Sequence, residues 1–225
     1  MNNFTLTRTR RKTIAIYIRE GRVDVRAPIR ASAAAIEAFV ASKEGWIAGK
    51  LAESGRQQAE RESFALSYGS ILIYRGTPYS ITATDSRQAG FDGERFFLPA
   101  DLAPEQIKAA CMRIYRARAN SVLTEKARHY AQLMNVSPAA VKINSAKKRW
   151  GSCSARGSIN FSWRLIMAED DVIDYVVVHE LAHLTELNHS MRFWAIVEAA
   201  LPDYRARRKR LGHLQTRLAG ENWEP

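Results

Sequence analysis

A short histidine-containing segment near position 180 has the residue types and the spacing of a metal site. The pentapeptide His179-Glu180-Leu181-Ala182-His183 places two imidazoles four residues apart. On an α-helix they lie one turn apart on the same face, where both can bind one Zn²⁺. Glu180 lies beside them, where it can accept a proton from a metal-activated water and pass it to a leaving group. The segment therefore predicts a metal-dependent hydrolase with Glu180 as its general base.

The residues before this segment bear on whether it is helical. Aspartates within Asp170–Asp174 occupy the expected first turn, where carboxylates stabilise a helix N-terminus. By contrast, the β-branched run Val176–Val178 favours a strand on propensity alone. A strand would hold the Cα atoms of His179 and His183 about 13 Å apart, which is too far for one metal ion. We therefore predict a helix, since burial can outweigh weak propensity.

A catalytic zinc site needs a third protein ligand and leaves one position open for water. His189, six residues after His183, is the leading candidate and completes the pattern H-E-x-x-H-x5-H. To reach the metal, it needs the helix to end near Leu187 and the chain to turn back, which Asn188 in a left-handed conformation would allow. Glu198 is the alternative ligand, because some metallopeptidases take a glutamate from the next helix.

The chain is strongly basic. It has 34 lysines and arginines against 23 acidic residues, which gives a net charge of +11. A polyanionic partner, either nucleic acid or a phosphorylated small molecule, fits this charge, although solubility alone would also account for it. The densest basic runs are Lys147–Arg149 and Arg205–Arg210. The second run would attract phosphate if it faced the metal site, whereas the usual interpretation of such a run is a solvated helix face.

Secondary-structure patterns differ between the two parts of the chain. Residues 1–100 are mostly β in pattern, with alternating strands over Thr13–Ile18 and Arg22–Arg26 and a helix that Ser32 can cap. Residues 101–225 contain more helix and hold the histidine segment. We therefore predict an α+β fold with a β-rich N-terminal region over 1–100 and a hydrolase domain over 101–225.

Several segments are similar to one known family. They are Arg149–Cys153, Asn160, Trp163–Leu165, Val176–His183, Asn188–Ser190, Phe193-Trp194 and Leu201–Tyr204. Together they resemble the YgjP-like metallopeptidase family, tightly over about residues 140–212 and loosely in the N-terminal part. The resemblance implies a minimal zincin-like fold, in which a small sheet packs on the active-site helix, and a relationship to the SprT and WLM zinc peptidases. It also implies His179, His183 and His189 as zinc ligands and Glu180 as the base.

Residues outside the histidine segment are candidates for substrate binding. A strand predicted over Ser158–Leu165 precedes the active-site helix, and in zincins an edge strand in that position pairs with extended peptide. Asn160 and Arg164 on this strand are therefore candidate cleft residues, unless the strand belongs to the core. Arg149 is a third candidate. We interpret Cys153 either as a small buried hydrophobic residue or as a thiolate that contacts the zinc.

Three functions are compatible with these features. The first is a zinc metallopeptidase that acts on peptides or proteins. The second is a pyrophosphohydrolase, because the YgjP-like family has been linked to pyrophosphate release from nucleotides such as UTP; no glycine-rich phosphate loop of the Walker type is present, however. The third is a nucleic-acid-associated protease, because SprT-like relatives act on proteins crosslinked to DNA.

The sequence also predicts a compartment. No apolar run approaches the roughly 18 residues of a transmembrane helix, and the N-terminus lacks the apolar segment of a signal peptide. The two cysteines, Cys111 and Cys153, do not form a disulfide framework. We therefore expect a cytoplasmic protein without membrane contacts, and the sequence leaves its oligomeric state open.

Overall fold

The computed structural model describes residues 4–19 and 21–224. Helices and strands are mixed along these residues, with 47% helix and 22% strand, and the strands form small sheets. This arrangement confirms the predicted α+β class. None of the helices in the described part of the chain is both long and apolar enough to span a bilayer.

The described chain divides into two compact units. The first comprises residues up to Phe64 together with Ala219–Asn222, and the second comprises Ala65–Leu218 with residues 223–224. The sequence instead predicts a division at residue 100. The two differ because the four-stranded sheet that precedes residue 100 packs within the second unit. The assignment of 101–225 as a hydrolase domain stays a prediction.

The first unit is a three-stranded sheet with two helices. Its elements are β1 Phe4–Thr9, β2 Ala15–Arg19, β3 Arg22–Pro28, α1 Ala33–Ala41 and α2 Glu44–Ser63. The strand order is β1-β3-β2, in which β2 and β3 form the predicted antiparallel pair and β1 runs parallel to β3. The hydroxyl of Ser32 caps α1 by accepting a hydrogen bond from the Ala35 backbone N–H at 3.2 Å.

The second unit begins with a four-stranded sheet. Its strands are β4 Ile71–Tyr74, β5 Thr77–Thr84, β6 Gly90–Phe91 and β7 Phe96–Pro99, in the order β4-β5-β7-β6. The long helix α3, Pro104–Leu133, follows with Pro104 in its first turn. The ring of Phe96 packs 5.3 Å from the ring of Tyr115 on α3, so this sheet shares its core with the helix.

A second sheet of three strands lies next to the histidine helix. Its strands are β8 Ala140–Asn144, β9 Gly151–Cys153 and β10 Ser158–Ser162, in the order β8-β10-β9. The prediction of one edge strand over Ser158–Leu165 is wrong in two respects. β10 is the central strand, and the chain continues as a short 3₁₀ helix over Trp163–Met167. All residues of this short helix are at most 8% exposed, so the segment belongs to the core.

Three helices complete the second unit. They are α4 Asp170–Ala182, α5 Met191–Ala200 and α6 Tyr204–Ala219. α4 packs against α3, α5 and β9, and thereby holds the histidine segment between a helical layer and the edge of the small sheet. This is the predicted packing of the histidine helix on a small sheet.

Candidate metal centre

The helix α4 supports the first two histidines. Asp170 and Asp171 lie in its first turn, as the sequence predicts. Val176–Val178 are at most 3% exposed, so burial of the whole run outweighs its preference for a strand. His179 lies in the last turn and His183 is the C-cap residue. The two imidazoles therefore lie on one face, next to the point where the helix ends.

Three imidazoles converge at this end of α4. The ring centres of His179 and His183 are 5.0 Å apart, those of His179 and His189 are 4.9 Å apart, and those of His183 and His189 are 4.8 Å apart. One ring nitrogen from each residue lies within 4.8 Å of the others. The Nε2 atoms of His179 and His189 are 3.0 Å apart, so at least one of them is unprotonated. The cluster thus offers three nitrogen donors to one cation.

The loop between α4 and α5 brings His189 back to the helix. α4 ends at Ala182, earlier than the predicted end near Leu187, and the backbone N–H of Glu186 donates to the carbonyl of Ala182 at 3.0 Å. Asn188 does not take the left-handed conformation that we predict, because the helix has already ended and no cap is needed there. Ser190 then caps α5, since its hydroxyl accepts a hydrogen bond from the backbone of the third helical residue.

An aromatic layer supports the three histidines. The ring centre of Phe193 lies 4.5 Å from that of His183, 4.8 Å from that of His189 and 4.9 Å from that of His179. Phe193 is fully buried. Trp194 stacks on His189 with the ring centres 5.7 Å apart. These rings restrict the orientations of the imidazoles and so preorganise the cluster.

Hydrogen bonding and burial set the protonation of the cluster. Nδ1 of His183 donates to the carbonyl oxygen of Glu186 at 3.1 Å, which leaves its Nε2 as a lone-pair donor. Burial, and then the neighbouring imidazoles and Arg208, lower the pKa of His179 to about 3. Burial is also the main cause that lowers the pKa of His189. Neutral imidazoles are the form that binds a metal.

The side chain of Glu180 is buried where α4 packs on β9. Its side chain is 6% exposed, and burial raises its pKa to about 7, while the charge of Arg149 opposes that rise. A Cβ at Gly151 would lie 2.5 Å from the Oε1 atom of Glu180. The carboxylate therefore touches the backbone of the edge strand and has a proton affinity suited to acid–base exchange near neutral pH.

A family model described as "YgjP-like, metallopeptidase domain" matches residues 12–214. The chain belongs to the YgjP-like metallopeptidase family. This confirms the resemblance recognised in the sequence, and it makes the protein a hydrolase of the metallopeptidase class at family level.

A solved structure is similar to part of the chain. The crystal structure of the metallopeptidase zymogen of Pyrococcus abyssi abylysin matches with 25% sequence identity and a TM-score of 0.38. That match covers 43% of this chain and 94% of that one. No curated protein matches the chain significantly.

The other predicted ligands of this YgjP-like metallopeptidase lie outside the histidine cluster. Glu198 is exposed and accepts a hydrogen bond from Arg205 at 2.8 Å, and it is not among the clustered donors. Cys153 is half-buried at the end of β9, and its Sγ donates weakly to the Ser154 carbonyl at 3.5 Å. Burial and then the charge of Glu180 raise the pKa of this thiol. Its contacts thus favour the small buried residue over the thiolate.

The three predicted substrate-binding residues have different surroundings. Arg149 is exposed and acts electrostatically on Glu180. Asn160 is half-buried on β10, opposite Ser152 of β9. Arg164 is only 8% exposed, and its guanidinium donates to the carbonyls of Ser145 and Trp223 at 3.1 and 3.3 Å. Arg149 is therefore close enough to influence Glu180, whereas Arg164 is buried and hydrogen-bonded within the core.

Sequence reasoning missed the roles of two residues. Gly151 is part of the Trp-Gly-Ser-Cys segment, but only the structure reveals that its missing side chain makes room for Glu180. Arg208 belongs to the Arg205–Arg210 run, and its guanidinium lies over the Trp194 ring at 5.2 Å from the centroid. Nothing in the sequence distinguishes Arg208 from the other basic residues of that run.

Proposed function

We propose that this protein is a zinc-dependent peptidase in which His179, His183 and His189 hold the metal and Glu180 is the general base. The observation that carries the proposal is the convergence of three imidazole nitrogens within 4.8 Å of one another, beside a buried glutamate. Membership of a metallopeptidase family supports the same conclusion.

The donor set fits zinc. Three neutral imidazoles are a common ligand set of catalytic zinc sites, which leave the fourth position open. The hydrogen bond from His183 Nδ1 to the Glu186 carbonyl is the outer contact that such ligands usually make. When bound, zinc would supply Lewis-acid polarisation of a water and of the substrate carbonyl.

Glu180 moves the proton in the proposed reaction. Its carboxylate accepts a proton from the attacking water as the water adds to the peptide carbonyl. The same carboxyl group then donates that proton to the departing amine when the C–N bond breaks. The pKa of about 7 that burial gives the carboxyl suits both steps, because the two protonation states have similar free energies at neutral pH.

The edge strand β9 is the element to which a peptide substrate would add. Its backbone pairs with β10 on one side through Gly151, Ser152 and Cys153, and it ends the strand order of its sheet on the other side. Because Glu180 contacts Gly151, a peptide that pairs with this free edge would pass close to the base. The sequence predicts this peptide-binding role for the segment Ser158–Leu165, and we assign it to β9 instead.

A pair of glutamate substitutions tests the proposal. Glu180→Gln should retain zinc in elemental analysis and lose at least about 100-fold in kcat on a peptide pool, since proton transfer contributes that much or more. Glu198→Gln is the matched control and should keep both zinc and activity. Unchanged hydrolysis by the Glu180→Gln variant would remove Glu180 as the base.

The two alternative functions stay predictions from the sequence. Of the arginines in the Arg205–Arg210 run, Arg205, Arg207 and Arg210 are paired with carboxylates. Arg207 and Arg210 bind Asp171, and Arg210 also binds Glu169, so these two arginines pack against the start of α4 instead of lying on a solvated helix face. All three pairings reduce the charge available for phosphate. UTP and single-stranded DNA belong in the same assays, with the same Glu180→Gln comparison, as substrate and ligand of the alternatives.

A further inference from the structure

Arg208 differs from the other arginines of its helix in what it contacts. Arg205 pairs with Glu198 at 2.8 Å, and Arg207 pairs with Asp203 at 2.8 Å. Arg207 also lies 4.0 Å from Asp174, and Arg210 pairs with both Glu169 and Asp171. Among the described residues, no carboxylate pairs with Arg208. Its charge is thus available to a ligand.

The position of Arg208 is beside the metal centre. Its guanidinium carbon lies 5.2 Å from the centre of the Trp194 ring, and that ring stacks on His189 with the centres 5.7 Å apart. The Trp194 ring is also 5.9 Å from the ring of His179. Arg208 and the histidines His179 and His189 therefore contact the same aromatic ring.

A cation at this place does not help the metal to bind. A guanidinium near a divalent cation is repelled by it, and a position beside three metal-ligating imidazoles has no electrostatic advantage by itself. A negatively charged group of the substrate would reverse the sign of this interaction. A cation–π contact with Trp194 uses none of the N–H donors of Arg208 in a hydrogen bond, and these donors match the two oxygens of a carboxylate.

We propose that Arg208 binds a carboxylate of the substrate peptide, so that the enzyme prefers a C-terminal carboxylate or an acidic side chain close to the scissile bond. This inference rests on the proposed peptidase function. An extended peptide advances about 3.3–3.6 Å per residue, so the contacts through Trp194 correspond to a carboxylate within about three residues of the cleaved bond.

A carboxylate fits this subsite better than a triphosphate. Phosphate chains are held by several donors and usually by a metal ion that bridges their oxygens. Here the neighbouring arginines Arg205, Arg207 and Arg210 are already paired, and Arg208 presents one fork of donors. One guanidinium matches one carboxylate in charge and in shape.

The test compares peptides that differ only in charge. A peptide cleaved by the zinc-loaded enzyme is made with a free or an amidated C-terminus, and with Asp or Asn at each position within three residues of the cleaved bond. The wild type should cleave one of the charged forms about tenfold faster in kcat/KM, since a charge-assisted hydrogen bond contributes roughly that factor. The free-acid and Asp arms distinguish the two sources of the carboxylate.

Three variants show whether Arg208 is responsible. Arg208→Gln should abolish the preference, and Arg208→Lys should retain part of it. Lys209→Gln removes the same charge from the next, exposed position and should leave the preference unchanged. Binding of the charged and uncharged peptides to the zinc-loaded Glu180→Gln variant, with and without Arg208→Gln, gives a calorimetric readout that needs no turnover.

Each outcome has a distinct meaning. Peptide cleavage with no charge preference in the wild type, or a preference that Arg208→Gln retains, overturns the subsite and leaves the peptidase intact. Absence of any peptide cleavage by the zinc-loaded wild type overturns the proposed function and the subsite with it. Pyrophosphate release from UTP that depends on Arg208, with no effect of peptide charge, assigns the residue to phosphate and also overturns the carboxylate.

Discussion

Gly151 lies against Glu180 so closely that no side chain can be added at position 151 without moving the carboxylate. A Cβ there would be 2.5 Å from both Cγ and Oε1 of Glu180, well inside van der Waals contact. β9 is therefore a wall of the site as well as an edge of the sheet. The missing side chain on the strand leaves the space that the Glu180 carboxylate occupies.

Replacement of Gly151 by alanine should lower activity without loss of the metal. The methyl group displaces the Glu180 carboxylate, and a displacement of about 1 Å can cost about 100-fold in kcat/KM. Gly212→Ala is the control, because nothing lies within 4 Å of its Cβ position and an alanine in a helix should slightly stabilise it. Full activity of the Gly151→Ala enzyme would show that the site tolerates a shifted base.

Replacement of His189 should separate the two candidate third ligands. His189→Ala removes one of three donors, and we expect zinc affinity to fall by more than about 100-fold, beyond the effect of losing an outer hydrogen-bond partner. Glu198→Ala should leave zinc affinity unchanged, because this carboxylate pairs with Arg205. Competition with a chromophoric chelator measures both. The opposite pattern would make Glu198 the ligand.

Two arginines proposed from sequence for substrate binding should give opposite phenotypes. Arg164→Met removes the hydrogen bonds of the buried guanidinium to the carbonyls of Ser145 and Trp223, so the free energy of unfolding should fall by about 2 kcal/mol while KM is retained. Arg149→Met should change the free energy of unfolding by less than about 0.5 kcal/mol, because Arg149 is exposed. It should change the activity, because its charge acts on Glu180. Denaturant titrations and steady-state kinetics together distinguish these cases. A raised KM with unchanged stability for Arg164→Met would show that Arg164 binds substrate.

The ion pair at the start of α4 should make stability depend on pH. The hydrogen bond from Arg75 is the largest cause that lowers the pKa of Asp170 below its ordinary value of 3.8. A carboxyl whose pKa is lower in the folded state than in the unfolded state stabilises the fold at any pH above its unfolded pKa. This stabilisation is lost as the pH falls through the pKa of the folded state. The pair is partly exposed, so the contribution is below about 1 kcal/mol.

Urea titrations of the wild type and Asp170→Asn should show this dependence. The wild type should be more stable at pH 6, and the difference should shrink as the pH falls below 3.8. Asp85→Asn, at an exposed position after β5, corrects for general changes in charge. A difference that stays constant over this range would show that Asp170 does not act through its ion pair.

Local sequence was sufficient to predict the part of the candidate site that lies on one helix. Residues four apart on a helix share a face, so the spacing of His179 and His183 determined their relationship once α4 was recognised. The class of the fold and the family could also be read from the chain, because short segments such as Trp150–Cys153 and Val176–His183 are local features. The helix cap at Ser32 is of the same kind.

Tertiary structure decided the features that depend on residues far apart in the chain. The alternation around Asn160 predicts a strand, but it does not say which neighbours pair with it, and β10 proved central because β8 and β9 lie on its two sides. Arg164 is polar in sequence and buried in the fold because distant carbonyls satisfy it. Periodicity in the sequence shows which face of an element is apolar. It does not show the order of the strands, the contact of Gly151 with Glu180, or that Arg208 has no carboxylate partner among the described residues. These features arise only when separate elements pack together.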